Sequence, residues 1–220
     1  QAHRVAGATF KLYRELESDP DFRRLGSAMG LAYAELFDRP FDAGHYFLYV
    51  PRNRGKGPMP AVVFLHGSCG NFKPYLWLWS KIAEQRGCVI IAPTYGFGKY
   101  GRPGSTEAML QALYDAGAQV DIDKNRVYLA GLSNGGLGVS QAATRSADRF
   151  RGLIFISPVM EDVVDTDAFL VPWHGRPVLV ITGKADDRVP YDYVSQRVTI
   201  WKTAHVNVTV GATVRLPDVR

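Results

Sequence analysis

Cysteine is scarce in this chain of 220 residues, which has only Cys69 and Cys88. Two thiols make no disulfide framework, and nothing around them has ligand spacing, so no metal site is implied. Two free, mostly buried thiols are the expectation, with pairing left open. Long apolar runs are absent as well: none approaches the roughly 20 residues that a membrane-spanning helix needs. Charge of one sign is not in large excess, the net charge being +5. The densest basic cluster, Arg52, Arg54 and Lys56 in "PRNRGKG", has no interleaved aromatics and no recognition motif. It reads as a solvated turn, and no nucleic-acid partner is expected. There is no internal repeat, no low-complexity run and no linker long enough to divide the chain. Met is lacking at the first position, where Gln1 stands, so residues are expected to precede it. A removed export signal, with a secreted or periplasmic location, and a trimmed chain both fit.

What is present is an alternation of strand and helix patterns. Apolar strand-like runs fall at 45–50, 61–66, 88–93, 126–130, 153–157, 178–182 and 206–216. Several are apolar throughout, as strands of a parallel sheet covered on both faces should be. Helical spacing occupies 73–86, 105–119, 134–147 and 190–204, with Ser105 and Thr106 placed to cap the second of these. This pattern predicts an α/β fold with a mostly parallel sheet and helices on both faces. About ten residues join the first two strands, too few for a crossover helix, so those strands are expected to be antiparallel neighbours at one edge. Residues 1–42, with "FRRLGSAMGLAYAELF" at helical period, are expected to form a helical extension packed on a body spanning 43–220.

The stretch "VYLAGLSNGG" (127–136) ends a strand in a glycine-ringed serine and begins a helix. In an open parallel sheet, chemistry collects at the carboxyl ends of the strands. A nucleophile held there needs small neighbours on both sides of a tight turn, and Gly131 and Gly135 flank Ser133 at that spacing. The plainer alternative is Ser133 as a helix N-cap. A serine attacking an acyl carbon needs two backbone amides for the oxyanion, each worth about 3 kcal/mol of barrier. One is expected from Asn134. The other is expected from "HGSCG", the turn after an earlier strand, from Ser68 or alternatively Cys69. His66 in that turn reads as an organiser of the loop rather than as the base. A carboxylate must orient the imidazole and stabilise its cation. "VLVITGKADDRVP" offers Asp186 and Asp187 at a third strand end.

These three loops resemble, in order and separation, the oxyanion loop, nucleophile elbow and acid loop of the α/β-hydrolase superfamily, from about residue 45 onward. "DKNRVYLAGLSNGG" is similar to its esterase branch, which includes feruloyl esterases, dienelactone hydrolases and polyester depolymerases. Prolyl-oligopeptidase-type peptidase domains are similar too. The resemblance implies the α/β-hydrolase fold, a serine esterase working through an acyl-enzyme, and Asp186, three residues before Val189–Pro190, as the acid. It also implies a histidine after the strand 206–216, at or beyond Arg220, with a final helix to follow. Of the histidines present only His205 follows Asp186, and it precedes that strand; His174 precedes the acid loop altogether.

Tyr95, Phe97 and Tyr100, interleaved with glycines in "IAPTYGFGKYGRPG", are candidates to stack on an aromatic substrate group or to pack a mobile loop. Trp173 and His174 are expected to border the substrate site, and Trp77 and Trp79 to belong to a buried helix face. Only a short segment separates "LIFISP" from the acid loop, so a small lid and an open site are expected, suited to bulky or aromatic esters or polyesters. No metal or organic cofactor is implied. The rival classes are a peptidase sharing the same loops and a non-catalytic binding module.

Overall fold

The computed structural model describes residues 2–37, 45–52 and 55–213. A seven-stranded sheet runs through the molecule: β1 (Tyr46–Tyr49), β2 (Met59–Leu65), β3 (Val89–Pro93), β4 (Ile122–Leu132), β5 (Gly152–Ile156), β6 (Pro177–Gly183) and β7 (Asn207–Thr213). Their order is β1-β3-β2-β4-β5-β6-β7. Every pairing is parallel except β1 with β3. Of the last predicted strand, 206–216, positions 214–216 lie outside the described residues, as do Arg54 and the expected histidine position at and beyond Arg220.

The antiparallel edge strand is present, but its neighbour differs from the expectation. β1 pairs with β3, and β3 stands between β1 and β2. A short connection rules out a parallel partner without naming the antiparallel one. Ten extended residues reach about 33 Å, ample to step over one intervening strand at about 4.8 Å per strand spacing. β4 also begins four residues earlier than its apolar run, because Met59 pairs with Ile122 before a register shift restores the ladder at Ala61–Val127.

β2 shows why the sheet is two-sided. Ala61, Val63 and Leu65 enter one buried layer with Met109, Ala112 and Ala116 of α5 (Ser105–Gln119) and Val139 and Ala142 of α6 (Gly135–Arg145). The same layer holds Phe169 and Trp173 of α7 (Asp167–Trp173) and Val194, Val198 and Trp201 of α8 (Tyr191–Thr203). Val62 and Phe64 enter the opposite layer with Leu76, Trp79 and Ala83 of α4 (Lys73–Arg86). Residues alternating along a strand thus serve both faces, which is why the run is apolar throughout. α5 is capped by Gly104 in left-handed conformation, not by Ser105, whose hydroxyl instead donates to the Tyr100 carbonyl at 2.7 Å.

Among the described residues the N-terminal segment forms three helices: α1 (Ala2–Ser18), α2 (Pro20–Arg24) and α3 (Met29–Leu36). Asp19 breaks the first from the second and caps α2 by accepting from the Asp21 amide at 2.8 Å. Its carboxylate also accepts from Trp77 Nε1 at 2.8 Å and pairs with Lys81 on α4. The Lys81 bond is the main reason its pKa is held down at about 2. Trp77 and Trp79 are both buried. Arg52, of the basic turn, is paired with Asp21.

Candidate active site

Ser133 sits between the end of β4 and the start of α6 with a left-handed backbone, φ 51°. A residue with a Cβ holds that conformation only where the surroundings impose it. Three bonds do so: its amide donates to the Ile156 carbonyl at 2.9 Å, and its own carbonyl accepts from the Gly136 and Val159 amides, each at 2.9 Å. The turn is therefore tied to the end of β5. The helix N-cap is Asn134, with no side-chain capping bond, so Ser133 is not spent as a cap.

The turn closes because glycines admit the backbone. A side-chain carbon at Gly131 would stand 2.5 Å from the Gly135 carbonyl oxygen, and one at Gly135 would stand 2.1 Å from the Leu65 carbonyl oxygen. The first turn of α6 therefore lies directly on the end of β2. On its other side, a carbon built on Gly67 falls 3.3 Å from Ser133 Cβ. The "HGSCG" turn and the Ser133 turn are thus in contact.

Within the first of these turns, Cys69 has a left-handed backbone and its amide donates to the Phe97 carbonyl at 3.2 Å. That donor is already engaged. Among the described residues, neither the Ser68 nor the Asn134 amide donates to a backbone carbonyl. Cys69 and Cys88 are both free; Cys88 is buried as expected, but Cys69 is exposed because it rides on the outside of this turn.

His66 is fully buried, and its Nδ1 donates to the Gly67 carbonyl at 2.7 Å. Burial pushes its pKa down to about 4, against the small upward pull of that bond. It is a neutral strut for the loop, not a base poised near neutrality. Between its ordinary value of 6.5 and the folded value of about 4, the unfolded chain takes up a proton that the folded chain refuses. Stability is therefore intact above that window and falls as pH drops through it, by about 2–3 kcal/mol at pH 4.5. Asp186 is shifted downward from 3.8, so its own contribution is lost only at lower pH. Urea unfolding at pH 7 and pH 4.5 should show that difference in the wild type and much less of it in His66→Asn.

Asp186 lies three residues past β6 and is partly buried. Its Oδ1 accepts from the Arg188 amide at 3.0 Å and the Val189 amide at 2.9 Å. Burial raises its pKa, and these two amides together with the Ser157 hydroxyl outweigh it, so the net shift is downward. Ser157, at the end of β5, has φ 39° and its amide donates to the Ile181 carbonyl at 2.7 Å. Sequence reasoning missed it; no motif marks a serine after "LIFI". Asp187 is exposed. The Ser133 turn is tied to the end of β5, and Asp186 lies past the end of β6, so the two strand ends that carry them are two strand spacings apart, about 10 Å.

No described histidine lies there. His174 forms an isolated bridge with Val206, ahead of β6 and β7, and its ring meets His205 edge-on at 5.6 Å. Both stand at the amino-terminal ends of those strands. β6 is seven residues long, about 20 Å, and Asp186 is beyond its other end. Trp173 is corrected by the same geometry. It is fully buried, its Nε1 donates to the Ala143 carbonyl at 2.9 Å, and its ring stacks on Phe169. It is a core residue at the far end of the sheet and does not border this site. Tyr95 and Phe97 are at the near end, both partly buried. The Tyr95 hydroxyl donates to the Pro103 carbonyl at 2.7 Å, and its ring stacks on the buried Tyr100 at 6.1 Å.

A family model described as serine aminopeptidase, S33, matches residues 56–185, more than half of the chain. Comparison with curated proteins finds no match. Among solved structures, a thermostable esterase shares 22% identity at a TM-score of 0.61, over 76% of this chain and 50% of its own. A ferulic acid esterase shares 16% identity at 0.63, over 76% and 82% of the two chains. An acylaminoacyl peptidase shares 17% at 0.59, over 78% of this chain and 35% of its own. The chain thus spans half the length of the first of these and about a third of the last.

Proposed function

Because the chain belongs to the serine aminopeptidase S33 family of α/β hydrolases, we propose that it is a serine hydrolase that cleaves carboxylic esters through an acyl-enzyme on Ser133. The observation that carries the reading is the left-handed Ser133 turn in contact with the Gly67–Ser68 turn. In this reading Ser133 Oγ attacks the ester carbonyl and the negative charge rests on the amides of Ser68 and Asn134. Asn134 opens the eleven-residue α6, whose N-terminal dipole adds to that stabilisation. The serine proton passes to an imidazole and on to the departing alcohol; water then repeats the sequence to free the acid. Asp186 holds that imidazole in the correct tautomer.

For the imidazole the family resemblance implies a position after β7, and residues 214–220 contain no histidine. Thr213 pairs with Gly183, so chain leaving β7 emerges beside the loop that carries Asp186. Esters of bulky or aromatic acids and alcohols, polyesters included, are the proposed substrates, because the strand-end aromatics Tyr95 and Phe97 lie beside the oxyanion turn.

The test is covalent. Incubating the full-length protein with a fluorophosphonate should add one phosphonyl group, located on the Ser133 peptide by mass spectrometry and absent from Ser133→Ala. No adduct, or one elsewhere, would overturn the reading. The family match and the peptidase neighbour favour one second reading, cleavage of peptides. Faster turnover of amino-acid p-nitroanilides than of p-nitrophenyl butyrate would select it.

A further inference from the structure

The N-terminal helix α3 is laid across the loops that flank Ser133. A side-chain carbon at Gly70 would stand 3.0 Å from Met29 Sδ and 3.1 Å from Ala32 Cβ, so the helix rests directly on the oxyanion turn. Ser27 Oγ reaches the Asn71 carbonyl at 3.5 Å. Tyr33 meets Phe97 edge-on, with ring centroids 5.2 Å apart at 74°.

Phe97 is an unusual carrier for that contact. It has φ 57°, a conformation that costs an aromatic residue more than glycine or asparagine. Its carbonyl binds the Cys69 amide. The next residue, Gly98, is so close that a carbon on it would fall 2.5 Å from the Gly67 carbonyl oxygen and 3.2 Å from the Ser68 amide. From α3 through Phe97 to the Ser68 amide there is one unbroken line of contacts. Yet the aromatic pair at its end is not core: Tyr33 is 51% exposed and Phe97 only partly buried. The local bonds hold the Phe97 backbone, and the pair they present, a partly buried phenylalanine edge-on to a half-exposed tyrosine, is an aromatic surface suited to a planar ligand.

We propose that Tyr33 and Phe97 form a specificity wall for an aromatic ring flanking the scissile ester carbonyl, so that the N-terminal helical extension selects substrate. The assignment rests on the reading of Ser133 as nucleophile. The ring of the acyl or alcohol group stacks or meets edge-on with the pair, while a short alkyl ester gains nothing from it.

The experiment compares kcat/KM for methyl cinnamate (aromatic acyl), benzyl butyrate (aromatic alcohol) and methyl butyrate in the full-length protein. Tyr33→Ala and Tyr33→Leu should lower the aromatic-to-alkyl ratio by about three- to tenfold for at least one aromatic ester. Tyr33→Phe, which keeps the ring, should retain the wild-type ratio. An unchanged ratio in both ring-less variants, or an equal loss on all three esters, would overturn the wall and leave Ser133 chemistry standing. A wild type with no Ser133-dependent hydrolysis of any ester would overturn both. Which aromatic ester loses more assigns the wall to the acyl or the alcohol side.

Discussion

Substituting Asp186 by asparagine is expected to lower kcat on p-nitrophenyl butyrate by about 10⁴-fold, while Asp187→Asn leaves it near the wild-type value. The two carboxylates are adjacent in sequence, and their surroundings separate them. Asp186 has been fitted into its loop by the amides of Arg188 and Val189 and by the Ser157 hydroxyl, which keep it ionised despite partial burial. Both amides go to Oδ1, so they do not consume Oδ2, the oxygen an imidazole Nδ1–H would use. Asparagine there presents an amide, which fixes the wrong tautomer and offers no charge to the imidazolium. Asp187 is exposed, and a solvated charge contributes little at that range. Ser133→Ala, at about 10⁶-fold, sets the floor against which both are read. A collapse in Asp187→Asn with Asp186→Asn active would move the acid role one residue along. Equal, modest losses in both would remove it from this loop.

The discrimination between those two aspartates was within reach of the sequence only through a family spacing; the bonds that distinguish them are local, from the Arg188 and Val189 amides, and depend on a loop conformation that no residue type in "KADDRVP" dictates. The Ser133 turn itself was more legible. Gly131, Ser133 and Gly135 declare a turn in which backbones touch, because only glycine tolerates a carbonyl oxygen where Cβ would be. Continuous apolar runs declared buried parallel strands for a similar local reason: alternating residues face two cores. What stayed hidden was non-local. The length of the β1–β2 connection limits direction but not neighbour, which depends on where the α4 crossover deposits β3. Trp173 is close to Asp186 in sequence and at the opposite end of the sheet, because a whole strand lies between them. Tyr33 is a hundred residues from Ser133, and helical periodicity says nothing about which loop a helix will cover.

Gly135→Ala is expected to be among the most destabilising single-methyl additions in the chain. The new carbon would lie 2.1 Å from the Leu65 carbonyl oxygen, 2.8 Å from its carbon and 2.9 Å from the His66 carbonyl oxygen. All three are backbone atoms, so no rotamer change relieves the clash; α6 must lift from β2 or β2 must bend. Overpacking that moves main chain costs about 3 kcal/mol or more, which for a domain of this size is a fall in Tm of about 6–12 °C. The displaced helix start carries the Asn134 amide with it, and with that goes one of the two proposed oxyanion donors. Fluorophosphonate labelling at a temperature where the variant is still folded should therefore slow by about 10²-fold or more. Gly117→Ala supplies the contrast. Gly117 lies within α5 with nothing near the place its side chain would occupy, so alanine there should raise stability by up to about 1 kcal/mol through helix propensity and leave labelling unaltered. If Gly135→Ala melted and labelled like wild type, the close contact of α6 with β2 would not be what holds the Ser133 turn, and the strain at Ser133 would need another origin.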